Sequence, residues 1–201
     1  MSTPLSGSVS RRSLLGLALA LPGAGLGCKR APELPALGSV GSFALTDQAG
    51  RPVTEASLRG QVWAAAFFFT RCPTVCPRIT RKMREVQQAA TKDGVKLQLV
   101  SFSVDPENDT PAVLDAYAKQ YGADLASWRF LTGDLEVVRK TSEQGFKLAL
   151  DGKATAGAEH FGLFHGSHLV LVDVAGQIRG YYRTSEDEQL AQLLRDAASL
   201  K

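Results

Sequence analysis

The sequence predicts one α/β domain: a central mixed β-sheet flanked by helices on both faces, with an added N-terminal hairpin. Three observations carry that prediction. The run Val62–Phe69 is apolar throughout, as a strand buried on both faces in the middle of a sheet would be. Directly after it Val75, Ile79, Met83 and Val86 recur at helical spacing, so a helix follows the strand within a few residues. Beyond that point the pattern reads strand, helix, a further helix, strand, strand, helix, which is the alternation of a layered α/β fold. A chain of 201 residues with 44% hydrophobic content suits one such domain of about 170 residues plus a short N-terminal extension.

That extension reads as an export signal. Arg11–Arg12 provide a basic start, Leu14–Leu21 an apolar middle, and the small residues through Gly27 lead to Cys28. The apolar middle is far too short to span a bilayer. The paired arginines resemble a twin-arginine signal, and Gly27–Cys28 resembles a bacterial lipoprotein cleavage site that makes Cys28 the lipidated residue. Residues 1–28 are therefore assigned to the signal, 29–38 with Pro32 and Pro35 to a tether, and 39–201 to the folded domain. The mature protein is expected in the cell envelope outside the cytoplasm, held at the membrane by a lipid anchor, where a cysteine pair can oxidise and needs a reducing partner. The net charge of +3 falls to about +1 without Arg11 and Arg12, which gives no reason to expect a nucleic-acid partner.

Within the mature chain Ser42–Thr46 and Pro52–Thr54 form a small hairpin with Asp47 and Gly50 at its corner. Strand Val62–Phe69 leads into a helix over Val75–Lys92, stopped by Gly94. Lys96–Val104 alternates as a strand, and Asp109/Thr110 before Pro111 start a helix over Pro111–Tyr121. A short strand at Trp128–Leu131, a helix over Asp134–Glu143 and a second short extended piece at Phe146–Leu150 come next. The Gly- and Ala-rich segment Asp151–Phe164 is a loop. His168–Val174 and Ile178–Arg183 pair across Ala175–Gly176, and a Ser185/Glu188 capping box opens a last helix running to about Ser199.

Chemistry concentrates at Cys72 and Cys76. They lie where the central strand meets the first helix, each followed by a proline that is tolerated only near a helix start. Near-helical spacing puts both sulfurs on one face, which suits a disulfide or one soft metal ion. With Cys28 in the leader, the pair accounts for all three cysteines, too few for a disulfide scaffold. The three histidines are His160, His165 and His168. An isolated histidine at a loop end is most often only a loop residue, but His165 precedes a strand whose start can face the cysteines. The acidic run Asp105–Asp109 is either a turn with a helix cap or a group tuning the cysteines, with Asp105 as the residue that would orient a ligand from behind.

FTRCPTVCP, SFSVDPENDTP and HGSHLVLVDVAG occur in that order and together resemble the Sco family, also called SenC. The resemblance covers most of the chain from Gly38 to Ser199. It implies a thioredoxin-like fold, copper as cargo in the Cu(I) or Cu(II) state, and Cys72, Cys76 and His165 as its ligands, with Asp105 in the shell behind them. It also implies delivery to, or maturation of, the copper centre of cytochrome c oxidase. The partners would be the copper-bearing subunit or another copper chaperone, together with a thiol reductant. No catalytic turnover is assigned to such a metallochaperone. The alternative is a thiol–disulfide oxidoreductase that uses Cys72–Cys76 to reduce an acceptor's copper-site cysteines; against general disulfide exchange, no proline occurs after Pro111. A peroxide-reducing enzyme fits the CPTVCP motif poorly, and a binding module with a structural disulfide is the plainest remaining reading.

The anchor has a direct test. Mass analysis of the membrane-extracted protein is expected to find a chain beginning at Cys28 with acyl groups attached. A soluble chain cut elsewhere, with Cys28 unmodified, would overturn that assignment.

Overall fold

The computed structural model describes residue 1, residues 33–148 and residues 168–200. Eight strands among these residues form one mixed sheet: β1 (Gly38–Ser39), β2 (Ala44–Asp47), β3 (Pro52–Thr54), β4 (Trp63–Phe68), β5 (Gln98–Ser103), β6 (Trp128–Thr132), β7 (His168–Val172) and β8 (Gln177–Arg183). Across the sheet they lie in the order β1-β8-β7-β4-β5-β6-β2-β3. The helices are α1 (Val75–Lys92), α2 (Pro111–Gln120), α3 (Leu135–Lys140) and α4 (Asp187–Ser199).

Strand β4 sets the layering. Ala64, Ala66 and Phe68 point to a core shared with Ile79, Met83 and Val86 of α1, Leu114 and Tyr117 of α2, and Leu190 and Leu193 of α4. Trp63, Ala65 and Phe67 point to the other core, with Val138 of α3 and the N-terminal residues Phe43 and Leu45. The period of two along β4 thus buries every side chain of the strand, as the unbroken apolar run requires. On the second face the rings of Phe67 and Phe102 stack at 5.0 Å, and Phe146 meets Phe67 edge-on at 5.2 Å.

Parallel pairing of β4 with β5, and of β5 with β6, forces crossover helices α1 and α2, whereas β7 runs antiparallel to β4. Both α1 and α2 begin where the sequence places them. Thr110 caps α2 by accepting the Val113 N–H, with Pro111 in its first turn. The expected hairpin forms as β2–β3 and also extends the sheet, β2 pairing with β6 through Thr46–Thr132 and Asp47–Leu131.

Four local expectations are corrected. Phe146–Leu150 is not an extended piece over its described residues. Instead α3 widens into a π-turn over Thr141–Gly145, with Phe146 N–H donating to the Thr141 carbonyl, because the Phe146 ring is drawn beneath Trp63 and Phe67. The helix expected over Asp134–Glu143 is α-helical only through Lys140 for the same reason. Helix α4 begins at Asp187 after Glu186, without the Ser185/Glu188 box; Gln189 takes that place, accepting the Arg183 N–H and donating to Glu186. Finally, part of the 29–38 tether is docked: Leu37 N–H reaches Ile178, the Leu34 carbonyl accepts from Arg179, and Gly38 pairs with Ile178 in β1–β8.

Gly145 marks a tight passage against backbone, since a Cβ there would overlap the Val40 carbonyl oxygen. Replacing a helical glycine with alanine ordinarily stabilises by about 0.5–1 kcal/mol. Gly145→Ala is expected to do the opposite, costing about 1–3 kcal/mol through overlap with the Val40 backbone. Urea denaturation measures the sign; a variant at least as stable as the parent would refute this packing.

Candidate metal centre

The site is built where β4 ends. After Phe68 the chain turns, Cys72 N–H donating to the Phe69 carbonyl, and α1 starts at Val75. A helix start leaves its first backbone N–H groups without partners, and Thr74 at the cap position supplies no side-chain acceptor. Cys72 fills that role: its Sγ accepts the Cys76 N–H at 3.4 Å, and the N–H groups of Thr74 and Val75 also favour its thiolate. Pro77 has no N–H to satisfy. Both cysteines are free thiols.

This geometry divides the two thiols. Burial alone would raise Cys72, but the backbone donors of Cys76, Thr74 and Val75 outweigh it and hold the thiol below its ordinary value. Burial pushes the Cys76 thiol far up, against a favourable contact with the Phe69 backbone, and the Cys72 sulfur and the Asp109 carboxyl push the same way. Cys72 is 9% exposed and Cys76 1%, so the sulfur nearer solvent is also the more acidic one. Behind Cys76, Thr80 donates to the Cys76 carbonyl at 2.9 Å and bonds the Tyr117 hydroxyl.

A ring of polar groups ties this turn to the end of β5. Asp109 accepts from the Thr70 N–H at 3.1 Å, from the Thr70 hydroxyl and from the Ser103 hydroxyl. Ser103 Oγ in turn accepts the Asp105 N–H, and Asp105 forms an ion pair at 2.8 Å with Arg71, the residue before Cys72. Asp105 therefore meets Arg71 and Asn108, while the carboxyl that acts on Cys76 through space is Asp109. The sequence places Asp109 in the acidic run Asp105–Asp109 and at the helix start, with Asp105 singled out as the residue behind the ligands. The signal that could have found it is redundancy: Thr110 alone caps α2, which frees Asp109 to turn inward.

Among the other predicted residues, His168 opens β7 half-buried, and burial together with the Arg183 guanidinium holds its imidazole below the usual range against the pull of Glu186. His160, His165 and Cys28 lie outside the described residues. Among the described residues no group of three His, Cys, Asp or Glu side chains is poised around one point. Two free thiols on one helix start are, by their chemistry, a fitting pair of donors for a soft cation.

Residues 33–199 match the family model described as SCO1/SenC. A SCO1/SenC family lipoprotein from Bacillus anthracis is similar in structure, with TM-score 0.73 and 34% identity over 81% of this chain and 94% of that one. BsSco, a member of the Sco family of cytochrome c oxidase assembly proteins in which a disulfide switch was identified, matches with TM-score 0.69 and 32% identity over 82% of this chain and 95% of its own. Copper-bound ScoI of Bradyrhizobium japonicum matches with TM-score 0.64 and 31% identity, covering 77% and 97%. With a family model spanning almost the whole described chain and the motif-bearing turn in place, this protein belongs to the SCO1/SenC family.

Proposed function

We propose that this protein is an extracytoplasmic copper carrier that delivers copper to, or matures, the copper centre of a cytochrome c oxidase. The observation that carries the reading is the pair of free thiols at the start of α1, one of them less buried and supported by backbone N–H groups. Cys72 and Cys76 would hold copper as thiolates, the donors Cu(I) prefers, and the imidazole of His165 would complete the site and keep Cu(II) acceptable. The antiparallel register of β7 against β4 supports this, because it brings the start of β7 to the end of the sheet from which Cys72 departs. His165 stands three residues before His168, a backbone reach of about 10 Å. Asp105 would act from behind the ligands through Arg71. Copper would leave by ligand exchange with the acceptor, the copper-bearing oxidase subunit or another copper chaperone, and a thiol reductant would reopen a Cys72–Cys76 disulfide before reloading. The copper-bound relative and the oxidase-assembly relative point the same way. Membrane attachment through lipidated Cys28 fits the lipoprotein relative; among the described residues no helix is long and apolar enough to cross a membrane.

X-ray absorption on the reduced chain from Gly38 onward is expected to show one copper with two sulfur neighbours, lost when either cysteine is replaced. His165→Ala is expected to keep Cu(I) and lose the protein-derived nitrogen of the Cu(II) form. A wild-type spectrum without two sulfurs would defeat the copper reading; an unchanged nitrogen shell in the oxidised mutant would remove His165 from it.

A second reading, reduction of an acceptor's copper-site cysteines, is favoured by the asymmetry of the two thiols. A near-surface thiol held below its ordinary value and a buried partner held above it are suited to attack and resolution. Because the thiolate is the reacting form, Cys72 should alkylate much faster than Cys76 at neutral pH, and its rate should fall as pH drops through its lowered value. Equal rates, read by peptide mass mapping, would contradict that division of roles. Turnover on an oxidised acceptor by His165→Ala would favour the redox account, and copper transfer confined to the wild type would favour the carrier.

A further inference from the structure

We propose that Asp109 is the positioning residue of the cysteine turn, holding Thr70 and Ser103 from inside the core and thereby fixing Cys72 relative to Cys76. The proposal deepens the copper reading and rests on it for its metal readout. Regular pairing between β4 and β5 ends where Val104 N–H reaches the Phe68 carbonyl at 2.9 Å. Beyond that bond the two chains part, and Thr70 has no strand partner for its N–H. Asp109 spans the gap, taking the Thr70 N–H and hydroxyl and the Ser103 hydroxyl on one carboxyl that is 0% exposed. Its own N–H closes a turn onto the Asp105 carbonyl at 2.9 Å, so its backbone is fixed as well.

Local structure does not require this arrangement. Thr110 already caps α2, and among the described residues no lysine or arginine forms an ion pair with Asp109. A buried carboxyl is costly unless its hydrogen bonds are made, and here all three go to groups flanking the cysteine turn. Thr70 is two residues from Cys72, so releasing its N–H lets the turn rotate and carries Cys72 away from the Cys76 N–H. The Arg71–Asp105 pair cannot replace this anchor: the arginine side chain is 57% exposed, and such pairs are weak and screened. A site of two sulfurs is only as well defined as the backbone that presents them.

The test compares wild type with Asp109→Asn, which keeps the shape, and Ser103→Ala, which removes one of the anchored groups. Copper(I) affinity is read by competition with a chromophoric chelator, the Cu(II) site by electron paramagnetic resonance, and folding by circular dichroism and urea. Asp109→Asn is expected to remain folded, to bind Cu(I) about 10–100-fold more weakly, as loss of a ligand-orienting group does, and to give a broadened Cu(II) spectrum. A second readout needs no copper. In equilibrium with oxidised glutathione, where two thiols lose two electrons to form Cys72–Cys76 and two reduced glutathiones appear, the variant should close its disulfide about tenfold less favourably, as the effective concentration of the two thiols falls. A folded Asp109→Asn with wild-type affinity, spectrum and disulfide equilibrium would overturn the proposal, even if its urea midpoint dropped, since that pattern is structural support alone. Should Asp109→Asn fail to fold, Ser103→Ala must show smaller losses in the same direction, and unchanged site readouts there would also overturn it. A wild type that retains no copper while Asp109→Asn still shifts the disulfide equilibrium would defeat the carrier reading and leave the positioning role standing.

Discussion

Double-sided burial of β4 is the constraint from which the site follows. The strand is paired on both edges and covered on both faces, so none of its side chains can be polar or reactive. Whatever chemistry it supports is displaced to its end. Parallel pairing with β5 demands a crossover helix, and that helix starts within a few residues of Phe68. A helix start, the exit of β5 and the entrance of β7 therefore converge at one edge of the sheet. Ligand sites of open α/β sheets lie at such carboxyl ends for the same reason.

At that edge a shortage of hydrogen-bond acceptors becomes a chemical property. The first turn of α1 lacks a side-chain cap, and a sulfur supplies what a serine or aspartate ordinarily would. One cysteine gains backbone donors by standing outside the helix. The other, one turn along, is buried beneath it and gains little. Among the described residues the difference arises from four residues of spacing at a helix start, through burial and backbone donors. Such a division suits metal capture and disulfide chemistry alike, since both use a thiolate with a second sulfur within reach.

Much of this was legible in the sequence because it depends on period and punctuation. The α1 boundaries, the β7–β8 hairpin and the burial of β4 follow from apolar spacing and from Gly94, Ala175 and Gly176. The cysteine turn was legible because two prolines restrict where a helix can start. What escaped depends on tertiary partners. Phe146 reads as a strand residue until Trp63 and Phe67 provide a pocket that keeps its backbone in a helical turn. The edge of β6 that receives β2 has no local signature. Asp105 and Asp109 are equivalent by composition, and only the fold turns one toward Arg71 and the other into the core. Cys28 and His165 rest on sequence pattern and family membership.

Asp47, Asp173 and Asp109 each tie a turn together, and their differences are informative. Asp47 accepts the Ala49 and Arg51 N–H groups and Asp173 those of Ala175 and Gln177, and each is matched by an arginine, Arg51 or Arg179. Burial would raise both carboxyls, but the backbone N–H groups together with these guanidiniums hold them below their usual range. Asp109 ties its turn through hydroxyls and one backbone N–H instead. An arginine in that place would put a cation beside Cys76, favouring its thiolate without metal and repelling any metal cation that approached. Hydroxyl donors give the same mechanical hold without that charge. Burial pushes the Cys76 thiol up, and the Asp109 carboxyl adds to it. Of these three, Asp109 is the one anchored without an arginine, and it is the one whose carboxyl acts on the Cys76 thiol.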